Sequence, residues 1–106
     1  MRLAVFEDPP GDLWVQISAP DLPASRWLFA STARTANPVV SRVNRAEYIE
    51  VPFGEERIAV FFLIIASVPP AFVEQSFRPI GSLEPTDSID VLNQLVDILA
   101  YPSWDT

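Results

Sequence analysis

Apolar and polar residues first alternate along this chain with a period of two. Residues 2–7 (RLAVFE) and 13–18 (LWVQIS) carry the pattern, with Leu13, Val15 and Ile17 on one face and Trp14 and Gln16 on the other. Such alternation marks strands with one buried face. Asp8-Pro9-Pro10-Gly11-Asp12 lies between them and is rich in turn formers. An N-terminal hairpin is therefore expected.

The spacing then changes. Asp21 or Leu22 can cap a helix with Pro23 in its first turn, where a missing N–H costs little. Trp27, Leu28 and Ser31, with Ala24 and Arg34 nearby, follow i, i+3, i+4, i+7 spacing. This predicts a helix to about Thr35, ended by Asn37-Pro38. Residues 39–46 (VVSRVNRA) fit two templates. Asn37 and Pro38 suit the cap and first position of a helix, while the alternating Val39, Ser41 and Val43 suit an edge strand. The β-branched content favours the strand.

The stretch 47–67 (EYIEVPFGEERIAVFFLIIAS) reads as two strands joined at Phe53-Gly54-Glu55-Glu56. Gly54 can supply the positive φ of a short hairpin loop. Pro52 lacks a backbone donor, so the first arm is expected at a sheet edge or at a bulge. The second arm, 58–66, is apolar at both even and odd positions, the signature of a strand covered on both faces. It is well short of the roughly 20 residues of a membrane-spanning helix, and the prolines that follow would break one. Residues 68–85 carry four prolines and are expected to wrap the surface, with a short helix at 71–77 anchored by Phe72, Val73 and Phe77. Residues 87–100 predict a helix capped by Thr86 or Asp87, with Leu92, Leu95, Val96 and Leu99, joined by Ile89, as its buried stripe. Pro102 ends it and leaves a tail containing Trp104.

This order predicts an α+β fold: an antiparallel sheet of four to five strands with two main helices packed on it. The element order resembles a longin/profilin-like layout. A ferredoxin-like layout fits less well, because no strand follows the last helix. At 106 residues, one domain spanning 1–106 is expected. If the helices cover one face of the sheet only, the other apolar face of 58–66 needs the proline-rich wrap or a second subunit, so a homodimer is expected.

Composition narrows the chemistry. The chain has no Cys, His or Lys, and its seven basic residues are all arginines. The usual nucleophile triads, thiolate and imidazole metal sites, Schiff bases and the phosphate-loop lysine are thereby absent. Gly11, Gly54 and Gly81 are too scattered for a phosphate-cradling loop. Asp8 with Asp12 could hold a hard cation, but an exposed acidic turn explains them as well. Glu55 and Glu56 read as a solvated hairpin tip, and Asp90 and Asp97 as the wet face of a helix. No catalytic residue, metal or cofactor is assigned, and no enzyme is expected.

Charge adds an asymmetry. The net charge is −7, from 14 acids and 7 arginines. Residues 22–46 hold Arg26, Arg34, Arg42 and Arg45 with no acid, so that segment carries +4 and the remainder −11. These arginines are expected either to pair with carboxylates such as Glu47 and Glu50 or to meet a partner. The expected function is a small acidic, cytoplasmic, non-enzymatic protein-binding module of the inhibitor, immunity, chaperone or assembly-adaptor type. Arg34, Arg42, Arg45 and Trp104 are its candidate partner-binding residues. The alternatives are a carboxylate-based small enzyme, or a weak single-strand nucleic-acid binder using 26–45. The net negative charge disfavours nucleic acid, and no membrane association is expected.

Overall fold

A computed structural model of the chain describes residues 1–18 and 26–99. The expected helix start at Asp21 or Leu22 and the tail with Trp104 lie outside the described residues. The elements are β1 (Ala4–Glu7), β2 (Leu13–Gln16), β3 (Trp27–Arg34), the 3₁₀ turns Pro38–Arg42 and Arg45–Glu47, β4 (Tyr48–Phe53), β5 (Glu56–Val68), α1 (Pro70–Ser76), β6 (Arg78–Ser82) and α2 (Pro85–Leu99). Every strand pairing is antiparallel. The fold is α+β, as expected, but the sheet has six strands, in the order β4-β5-β3-β2-β1-β6. No described helix is long and apolar enough to cross a membrane.

Two segments depart from their sequence pattern. The expected helix ending near Thr35 is instead strand β3 over its described part. Trp27 and Phe29 face one side of the sheet and Ala30 the other; pairing to β2 and β5 on both flanks outweighs the helical spacing. The element order that resembled a longin/profilin-like layout placed a helix at this point, so the comparison loses its basis. The other departure is β6, an extra strand formed within the proline-rich wrap along the outer side of β1. Within that wrap, α1 matches the short helix expected at 71–77.

Residues 38–47 are 3₁₀ turns and not the edge strand that their β-branched content favours. Asn37 Oδ1 accepts the Val39 N–H and Asn44 Oδ1 accepts the Ala46 N–H, and these local caps outweigh β propensity. In the central hairpin, Phe53 pairs with Glu56 across Gly54 and Glu55. Gly54 has φ +61° and, among the described residues, only glycines adopt positive φ, the pattern of a type II′ loop. Thr35 N–H bonds the Arg57 carbonyl, so Arg57 faces β3 and Ile58, one step on, faces β4 and its partner Val51. Pro52 therefore presents its missing donor to the outside of an edge strand, as anticipated.

The sheet is covered on both faces. Leu3, Val5, Leu13, Val15, Ala30, Val51, Ile58, Val60 and Phe62 form one core with Leu83 and with Val91, Leu92, Leu95 and Ile98 of α2. The opposite face is divided. Phe29, Val68 and Val73 pack with Phe6, Trp14, Trp27 and Phe77 beneath α1, and Val40 and Val43 of the 3₁₀ turns cover Ala59 and Phe61. A second subunit is thus not needed to cover the sheet face that prompted the homodimer expectation. The buried stripe of α2 is rotated from the expected one: Ser88 and Val91 are fully buried, whereas Ile89 and Val96 are exposed.

Candidate docking surface

The apolar run of β5 is interrupted by an arch. Ala30 pairs with Ile65 and Thr32 with Val60. Between these pairs β3 has only Ser31, while β5 has Phe61, Phe62, Leu63 and Ile64, a surplus of three residues. An odd surplus exchanges the two faces of the strand. Ile58, Val60 and Phe62 point to the α2 side, but Ala66 and Val68, although also even-numbered, point to the α1 side. The arch leaves Leu63 59% and Ile64 54% exposed, with Ile65 and Leu28 exposed beside them. Leu28 pairs with Ser67, which makes Ile65 its diagonal neighbour.

The same segment is a strand edge. β4 makes its last pair with β5 at Tyr48 opposite Phe61, so no described strand covers residues 62–68 on that side. Backbone direction follows from the ladder. Ile17 N–H bonds the Leu28 carbonyl and Leu28 N–H bonds Ser18 Oγ, so Leu28 faces β2. Trp27 and Phe29 then face β5, opposite Val68 and Ala66. The N–H and C=O groups of Ile65 and Ser67 consequently point outward, away from β3. The Ser67 carbonyl accepts Arg26 Nη2 at 2.6 Å, and Ser67 Oγ accepts Arg26 Nε at 2.8 Å.

The arginines of the basic segment have separate placements. Arg34 Nε donates to both carboxylate oxygens of Glu56 at 3.1 Å. Arg45 lies over the ring of Tyr48, 4.8 Å from its centroid, and Tyr48 meets Phe61 edge to face. This places Arg45 at the base of the arch. Arg42 is exposed at the end of its 3₁₀ turn. Glu50, an expected partner of this segment, instead pairs with Arg57. Trp104 lies outside the described residues. The basic and aromatic residues of 26–45 do not form one surface, because Phe29 is fully buried in the core.

Asp8 is the anchor of the first turn. Its Oδ1 accepts the Asp12 N–H at 2.8 Å and its Oδ2 accepts Trp14 Nε1 at 3.0 Å. Glu55, Asp90 and Asp97 are exposed. Two shallow pockets contain polar groups. The first, about 90 Å³, is lined by Asp12, Thr32, Arg34 and Asn37 among others, but Thr32 is bonded to the Leu13 carbonyl and Arg34 to Glu56. The second, about 270 Å³, is lined by Glu7, Asp8, Pro9, Ser76 and Arg78, with Arg78 paired to Glu7.

Sequence reasoning missed Arg26, Leu28, Leu63, Ile64 and Ile65 as a surface. A signal was present: 62–66 contains no polar residue, and a strand that is fully covered on both faces and both edges is rare in a chain of this length. No protein-family model matches the chain, and no curated protein is similar to it.

Proposed function

We propose that this chain is a small acidic, cytoplasmic, non-enzymatic protein-binding module that docks its partner on the arch and open edge of β5. The exposure of the consecutive Leu63, Ile64 and Ile65, with Leu28 beside Ile65, along a strand edge that no described strand pairs carries this reading. Scattered apolar side chains are ordinary on a surface, but a contiguous patch on an open strand edge is a feature of interaction sites. Strand addition would supply main-chain hydrogen bonds, and the arch would supply apolar side-chain contacts. Arg45, stacked on Tyr48, flanks the base of the arch as polar rim. The net charge of −7 would steer the chain toward a basic partner.

Affinity capture from source lysate tests this, with the wild-type chain and Leu63→Asp/Ile64→Asp run side by side. The expected result is a stoichiometric protein retained by the wild type, weakened by salt and lost with the variant. Equal recovery by both chains, or recovery of no stoichiometric protein, would sink the reading.

A further inference from the structure

The sheet has three stretches of open edge among the described residues, and they are protected differently. On β4 the outward-facing positions are Tyr48, Glu50 and Pro52, and Pro52 has no N–H to offer. On β6, Pro79 stands opposite Phe6. Asp8 N–H bonds the Asp12 carbonyl, so Phe6, two residues before it, also faces β2, and the nitrogen of Pro79 points outward. Prolines at such positions deter strand addition. The third stretch, 62–68 of β5, contains no proline and no charged residue. Its guard is the side chain of Arg26, which occupies the outward carbonyl and the hydroxyl of Ser67.

We infer that Arg26 is a latch on this edge, and that the occupant it holds off is a second copy of the chain, added antiparallel to β5 across a two-fold axis. This rests on reading the β5 edge as a binding surface and adds self-association as a second use of that edge, in competition with the partner protein proposed above. Antiparallel pairing of identical strands is self-complementary. Centred on Ile65, it lets the two Ile65 residues exchange both backbone bonds and sets the Ser67 carbonyl opposite Leu63 of the partner subunit. That carbonyl is the one Arg26 fills, so latch and partner compete for a single acceptor. The uncharged run also lets two chains of net charge −7 meet without placing carboxylates in the contact. A proline block is permanent, whereas a guanidinium on an exposed carbonyl is displaced whenever a better donor arrives.

Sedimentation equilibrium on the full chain tests the latch. Arg26→Ala is expected to tighten self-association at least about tenfold over the wild type, corresponding to about 1.4 kcal/mol. Adding Ile65→Lys to that variant is expected to restore wild-type behaviour. Amide exchange gives a second readout on the unmodified protein: the Ile65 N–H should exchange fast in dilute solution and slow with rising concentration. Unchanged association of Arg26→Ala, association that survives Ile65→Lys, or an Ile65 amide whose exchange ignores concentration would each overturn the inference. A foreign partner captured through Leu63 and Ile64 while Arg26→Ala stays monomeric would leave the docking surface standing and remove only the second copy.

Discussion

The ring of Phe53 lies against Gly81. A Cβ built on Gly81 would sit 3.1 Å from Cε1 and Cζ of that ring. Phe53 belongs to β4 and Gly81 to β6, the strands at opposite ends of the sheet order. The contact therefore records how far the sheet curls, bringing its two ends together on the side that holds α2. Gly81→Ala should destabilise the fold by about 1–3 kcal/mol through overpacking and through the positive φ of +158° that Gly81 adopts, and Phe53→Leu in the same chain should recover the overpacking part of the loss by making room. Urea unfolding of the two single variants and the double variant measures the coupling. Additive losses would mean that the ends do not touch.

Ser88 ties the final helix to the first strand. It is fully buried in α2, and its Oγ accepts the Leu3 N–H at 2.9 Å. Ser88→Ala should cost about 1–3 kcal/mol, because the Leu3 donor would stay buried without a partner. A midpoint of urea unfolding unchanged from the wild type would show that Leu3 finds another acceptor.

Gln16 presents the opposite situation. It is only 3% exposed and its Nε2 has no hydrogen-bond partner among the described residues. Gln16→Met keeps the length of the side chain and removes the unsatisfied donor, so stability should hold or rise by about 1 kcal/mol. A clear loss of stability in thermal melts would assign the amide a bond that its surroundings do not display.

Phe77 is the hub of the core beneath α1. Its ring lies 5.3 Å from that of Phe29 and 6.2 Å from that of Trp14, and it also meets Phe6 and Phe72. Phe77→Ala should cost about 3–5 kcal/mol and alter tryptophan emission, since Trp14 is stacked on the missing ring. Retained stability would mean that α1 does not depend on this cluster.

Much of the fold was legible wherever the physics is local. The hairpin loop at Gly54, the edge position of Pro52, the short helix α1 and the existence of α2 follow from φ preferences, missing donors and amphipathic spacing. The misreading of β3 has an equally specific cause. A central strand bonded on both flanks buries residues on both faces, so Trp27, Leu28, Phe29 and Ala30 lose the alternation that identifies a strand. Small residues such as Ser31 and Ala33 fit a helix equally well. The stripe of α2 was misplaced because Ile89, Val91 and Val96 have similar hydropathy, and only the position of the sheet selects which of them turns inward. Of the candidate arginines, Arg34 was accounted for by Glu56, which is far from it in sequence and adjacent across the β3–β5 pairing.

Residue chemistry alone determined the turns, the caps, the edges blocked by proline and the absence of His, Cys and Lys chemistry, because each depends on a residue and its immediate neighbours. The tertiary structure alone decided that both faces of the sheet are covered by this chain, that an odd surplus of residues inverts β5 midway, and that Arg26 bonds the Ser67 carbonyl of β5. These depend on the register between β3 and β5. Register is a cooperative property of long-range pairing, and no single segment of either strand encodes it.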